Sequence, residues 1–144
     1  MRKILFTILL LFSIALTLTG QLSNSFVSSC AMNAGKDAKY LKDFRIELGE
    51  TSNQNELRYK TNISLWKNTK YRFTICSSEN SNGQLYLTLK DEANRVALTS
   101  YDKQTGKTYQ FVDFVCNRSG IYQLNFDFTG GQQGSGVGVI SIVR

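Results

Sequence analysis

The sequence predicts an all-β protein, a two-sheet antiparallel β-sandwich of jelly-roll-like form with about eight strands. Three observations carry that expectation. Apolar and polar residues alternate with a period of two along most of the chain, the pattern of strands with one wet face. The alternating runs recur roughly every 8 to 12 residues, divided by clusters of Asn, Asp, Gly and Ser. A helical period is weak throughout, and only Ala31 to Leu41 is expected to hold a helical turn. With 144 residues, the chain has room for one domain and one core.

Taken in order, the chain begins with the short cation cluster Met1-Arg2-Lys3. An apolar run from Ile4 to Leu18 follows, interrupted by Thr7, Ser13 and Thr17. This is the layout of an export signal, read here as residues 1–20 with cleavage between Gly20 and Gln21. The run is too short for a confident membrane span. Residues 21–39 read as an N-terminal linker, and residues 40–144 as the sandwich. Within the linker, Val27-Ser28-Ser29-Cys30 resembles a lipobox, which makes Cys30 a possible lipidation site and membrane tethering an alternative to free secretion.

The first strand sets Phe44, Ile46 and Leu48 against Arg45 and Glu47. The second runs through Leu57, Tyr59, Thr61, Ile63 and Leu65, and the third through Tyr71, Phe73 and Ile75. Leu85, Leu87 and Leu89 lead into the polar turn Asp91-Glu92-Ala93-Asn94 and on to Val96 and Leu98, so Gln84 to Tyr101 reads as a hairpin. After Lys103-Gln104-Thr105-Gly106-Lys107 comes a mostly apolar run from Tyr109 to Cys116, expected to be buried on both faces or to wrap an edge. Tyr122, Leu124, Phe126 and Phe128 form a clear inward face. Gly130 to Gly136 reads as a flexible connection, since it lacks the Gly-Lys-Ser/Thr of a phosphate loop, and Val137 to Val143 closes the domain.

Composition removes several chemistries. There is no His, so neither a Ser-His-Asp triad nor a Cys-His dyad nor a His-bearing zinc site can form. No catalytic residue, cofactor or metal is expected. The nearest approach to a cation site is Asp91, Glu92 and Asn94, whose types and spacing suit turn geometry better than calcium. The net charge is +6, and losing Arg2 and Lys3 with the leader brings it to +4. Lys36, Lys39, Lys42 and Arg45 are interleaved with Asp37 and Asp43, a mixed-sign wet face rather than a nucleic-acid site.

Export would place the three cysteines where thiols oxidise. Cys76 and Cys116 each end a strand just before a turn, and they are expected to pair across one end of the sandwich. A bridge between them closes a loop for which the chain-entropy relation gives about 4 kcal/mol of stabilisation. Cys30 is then left as a thiol, an intermolecular bridge or the lipid acceptor, the alternative being that it pairs with Cys76 or with Cys116 instead. The binding candidates are the aromatics at strand ends or out of phase with an apolar face, namely Trp66, Tyr86, Tyr101 and Tyr109. Alternation points Trp66 outward, directly after Leu65.

Lys70-Tyr71-Arg72-Phe73-Thr74, then Gln84-Leu85-Tyr86-Leu87-Thr88-Leu89-Lys90-Asp91, then Asn117-Arg118-Ser119-Gly120-Ile121-Tyr122-Gln123-Leu124 resembles the bacterial pre-peptidase C-terminal domain. The resemblance spans roughly Lys70 to Val143, and the Asp91 turn lacks the glycine usual in that family. It implies a β-sandwich accessory or binding module and carries over no catalytic residue. The expected function is an exported, noncatalytic module, secreted or periplasmic, that binds a glycan or an envelope protein. The alternatives are a lipid-tethered envelope structural or assembly protein and a hydrolase working without histidine.

Overall fold

Each alternating run becomes a strand whose apolar side meets an opposing sheet. The computed structural model describes residues 22–53 and 57–144, so the leader read in residues 1–20 lies outside the described residues. Helix α1 (Asn24–Met32) comes first. Ten strands follow: β1 (Ala38–Leu48), β2 (Tyr59–Leu65), β3 (Thr69–Ser77), β4 (Leu85–Lys90), β5 (Val96–Thr99), β6 (Tyr101–Asp102), β7 (Lys107–Thr108), β8 (Phe111–Cys116), β9 (Gly120–Phe128) and β10 (Gly134–Val143). Eight of them build two four-stranded sheets. Sheet I has the order β1-β10-β3-β8 and sheet II the order β2-β9-β4-β5, while β6 and β7 form a separate ribbon.

All pairings are antiparallel: β1 with β10, β2 with β9, β3 with β8, and β4 with β5. The chain is thus one long hairpin wound so that successive pairs fall in alternate sheets, which is a jelly roll. Between the sheets lie Phe44 and Ile46, Tyr71, Phe73 and Ile75, Leu85, Leu87 and Leu89, and Tyr122, Leu124, Phe126 and Phe128. Every one of these sits on the parity the alternation assigns to it. Burying a side chain of this size contributes about 1.5–3 kcal/mol.

The glycine-rich stretch is only partly a connection. Gly134 and Gly136 already belong to β10, and with Gly138 they occupy alternate positions on its inward side. A Cβ at Gly138 would strike the ring of Phe126, and one at Gly134 the ring of Phe128. At Gly136 it would come within 2.8 Å of Leu85 and 2.6 Å of the Cys76 carbonyl. These glycines are the holes into which sheet II inserts its largest side chains.

The segment expected to be a linker is a third layer. Ser23 caps α1, its hydroxyl accepting from the Phe26 N–H at 3.2 Å. Val27 and Cys30 are buried against Val137 and Val139 on the outer side of β10. Arg45 on β1 holds the start of the helix by donating to the Leu22 carbonyl at 3.0 Å. Beyond the helix, Arg72 donates to the Ala34 carbonyl at 2.8 Å and grips Asp113 with two nitrogens, at 2.7 and 2.8 Å. That guanidinium, hydrogen-bonded to the carboxylate, holds Asp113 below the usual carboxylate range. The helical turn anticipated between Ala31 and Leu41 is displaced: the helix ends at Met32 and β1 starts at Ala38.

The cysteine pairing is corrected as well. Cys30 is bonded to Cys76 with Cα atoms 5.9 Å apart, and Cys116 is a buried thiol. The expected Cys76–Cys116 bridge fails on direction. Since β3 and β8 run antiparallel with Thr69 opposite Cys116, the C-terminal ends of the two strands lie at opposite ends of the sheet. Seven residues of strand, about 23 Å, separate the Cys116 level from Cys76, far beyond disulfide reach. The Cys76 bond and a lipid thioether at Cys30 would exclude one another, since both need the same sulfur.

Three measurements check these assignments. Peptide mapping of the oxidised protein will join Cys30 to Cys76, with Cys116 reacting with thiol reagents only on unfolding. Replacing both bridged cysteines with serine will lower the unfolding free energy by about 2–4 kcal/mol. Gly138→Ala will cost about 1–3 kcal/mol in denaturant titrations through overpacking against Phe126, whereas Gly106→Ala, with open space at its Cβ, will be limited to the penalty of its positive φ.

Candidate functional site

The four aromatic candidates fall in three places. Trp66 follows the last residue of β2 in a turn held by backbone anchors. Its N–H donates to the Tyr71 hydroxyl at 2.9 Å, the Lys67 N–H donates to Ser119 Oγ at 2.7 Å, and Asn68 takes a φ of 65°. The Trp66 residue remains 68% exposed. It stands at a groove of about 420 Å³ shared with Leu41, Lys42, Ile63, Ile140 and Ile142. The groove opens where the edge strands β1 and β2 leave the two sheets unjoined.

Tyr86 and Tyr101 do come together. By alternation Tyr86 should stand in water on the outer side of β4, but the β6–β7 ribbon brings Tyr101 against it, with ring centroids 5.0 Å apart and planes 37° apart. Beside them is Asp127, opposite Tyr86 in the β4–β9 register. One Asp127 oxygen accepts from Arg58 Nε at 2.8 Å and from the Phe128 N–H at 2.7 Å. Arg58 also donates to the Gly49 and Gln132 carbonyls, so one guanidinium ties three segments around this carboxylate. The resulting cleft of about 300 Å³ is completed by Lys103 and by the backbone of Gly130 and Gly131. Burial, helped by the Asp127 charge, pushes the Tyr86 hydroxyl up to about 12.

Tyr109 is 44% exposed and lies under the Lys107 ammonium, 4.8 Å from its ring centroid. It borders a polar cleft of about 440 Å³ beside the Cys30–Cys76 bridge. The three tyrosines therefore gather around the β6–β7 ribbon, while Trp66 stands at the end of the sandwich marked by Cys116.

The cation reading of Asp91, Glu92 and Asn94 is replaced by turn chemistry. Asp91 Oδ1 accepts from the N–H groups of Ala93 and Arg95, both at 2.9 Å, and Oδ2 accepts from Arg95 Nε at 2.9 Å. The backbone N–H of Arg95 is the first cause that holds Asp91 below its ordinary range. Asn94 takes the left-handed conformation that closes the turn, with a φ of 60°. Glu92 lies over Gly120 instead of converging with Asp91. Among the described residues, no group of three or more His, Cys, Asp or Glu side chains can hold a metal ion. The turn forms one wall of a cleft of about 580 Å³, facing Phe114, Arg118 and Tyr122.

Sequence reasoning passes over Arg58, Asp127 and Lys103. Asp127 shows a faint signal, as the one acid on the outward parity of β9 beside an aromatic run. Arg58 and Lys103 lie outside the strands and show none.

The Tyr86 shift has a definite sign. A phenol whose folded pKa lies above its unfolded value of 10.0 binds its proton more tightly in the folded state, so stability falls as pH rises from 10 toward about 12. Denaturant titrations across that range will show the loss in the wild type and a smaller loss in Tyr86→Phe. An ultraviolet titration will find one tyrosine fewer ionising late in the variant.

No family model matches this chain, and comparison with curated proteins finds no relative for it.

Proposed function

We propose that the protein is an exported, noncatalytic recognition module, secreted or periplasmic, whose ligand is a glycan or another envelope protein. The observation that carries this reading is Trp66, a large residue left open to solvent at the mouth of a groove, its backbone anchored by the N–H bond to the Tyr71 hydroxyl. An exposed ring can stack on sugar or on an apolar side chain without needing a deep pocket. A chain without His supports the noncatalytic reading, since it offers no ordinary general base near neutrality. Hydrogen bonds hold the carboxylates of Asp91, Asp102 and Asp113 in the charged form, the wrong direction for a catalytic acid. The resemblance of the Lys70 to Val143 region to the pre-peptidase C-terminal domain also suits an accessory module.

The disulfide fits an oxidising compartment. Among the described residues no helix is long and apolar enough to cross a membrane. A lipid tether at Cys30 would compete with the Cys76 bond for the same sulfur.

Glycan arrays and pull-downs from an envelope fraction, run with wild type and Trp66→Ala, test the proposal. Binding that falls about tenfold or more in the variant, with an unchanged melting temperature, supports it. Equal binding by both proteins would move the site away from Trp66, and turnover of any bound glycan would replace recognition with catalysis.

A further inference from the structure

The outer faces of the two sheets differ. Sheet I is covered by α1 through Val27 and Cys30. On sheet II the outward residues form polar rows. Tyr86 and Asp127 make the first; Thr99, Thr88, Asn125 and Lys60 stand abreast in the second; Lys90, Gln123 and Asn62 make the third, which the exposed Val96 closes opposite Lys90. Directly opposed residues share a face, so these side chains form a mostly polar strip beside the tyrosine cleft, in which Thr88, Asn125 and Asp127 are themselves buried.

Two details of the cleft itself point to a ligand of definite chemistry. First, Asp127 is matched in charge by Arg58, at 2.8 Å, whereas Lys103 has no ion-pair partner among the described residues. The cleft therefore carries one positive charge not balanced locally. Second, its floor is the Gly130–Gly131 backbone, with φ of 69° and 66°, so no side chain stands between a ligand and the tyrosine rings from that side.

We infer that the outer face of sheet II is a binding site for an acidic glycan, with a uronate ring against the Tyr86–Tyr101 pair, its carboxylate at Lys103 and the following sugars along the polar strip. The inference rests on the recognition-module reading and gives it a ligand class and a second site apart from Trp66. Sugar faces present C–H groups to aromatic rings and hydroxyls to amides and hydroxyls. The acid group answers the unbalanced ammonium.

The test uses tetragalacturonate as acidic probe, maltotetraose as its neutral counterpart and a tetraglutamate peptide as an acidic non-sugar. Binding is measured by calorimetry at about 50 and 500 mM NaCl, where screening separates charge from stacking. Wild type, Tyr101→Ala, Lys103→Gln and the distant charge control Arg118→Gln are compared, each with its melting temperature. The expected result is tetragalacturonate binding that weakens with salt, falls at least about tenfold in Lys103→Gln and in Tyr101→Ala, and is unchanged in Arg118→Gln. Lys103 sits on an exposed ribbon tip, so its variant keeps the question answerable if Tyr101→Ala is unstable.

Equal binding of maltotetraose would remove the acidic preference, and equal binding of tetraglutamate would remove the glycan. Insensitivity to Lys103→Gln would overturn the site. If arrays find a glycan that depends on Trp66 while tetragalacturonate is ignored, this site falls and the module reading stands. If no glycan and no envelope protein binds, both fall.

Discussion

The interlock of rings with glycines between β9 and β10 fixes the spacing of the two sheets, and the rest of the molecule follows from it. Phe126 and Phe128 project from the centre of sheet II into positions where Gly138 and Gly134 supply no side chain. Close packing makes such a fit intolerant of even one added methyl. Because the inward side of β10 is half glycine, its outward side carries Val137 and Val139, and those valines need the cover that α1 provides. The same interlock pins β9, and with it Asp127, which lies between the two rings in sequence but on the opposite face. Arg58 closes on that carboxylate and draws in the Gly49 and Gln132 carbonyls, and this arrangement positions the Gly130–Gly131 floor of the tyrosine cleft.

Much of the fold is legible in the sequence, because parity is a local property. Leu85, Leu87 and Leu89 can face only one way if they belong to one strand, and the same holds for Tyr122 through Phe128. The strand count and the sandwich follow without knowledge of which strands touch. The layer formed by α1 is harder to read. Leu22, Phe26, Val27, Cys30 and Ala31 do recur at helical spacing, but the stretch is short and its serines resemble a polar linker. The helix is held by contacts outside its own sequence, in Val137, Val139 and the Cys76 bond.

The candidate sites divide along the same line. Trp66 is legible as an exposed ring because parity and the following turn both push it outward. The proximity of Tyr86 and Tyr101 is not, since it depends on a two-residue ribbon folding over the face of sheet II. The turn role of Asp91 is legible from residue types and spacing, and the Ala93 and Arg95 donors supply its geometry. Cysteine pairing is not legible either, because a position at the end of a strand says nothing about which end of the sheet that is.

The buried thiol of Cys116 has a consequence for maturation. Joining Cys76 to Cys116 would close 40 residues and joining it to Cys30 closes 46, so the random chain distinguishes the two partners by only about 0.1 kcal/mol. Polymer statistics cannot choose; pairing of β3 with β8 does, by carrying one sulfur to the far end of the barrel-like roll and sealing it from oxidants. Strand pairing in small β domains takes milliseconds to seconds and thiol exchange seconds to hours. A newly made chain thus edits its own cross-link by zipping first, and anything that delays the zip turns Cys116 from a silent spectator into a competitor.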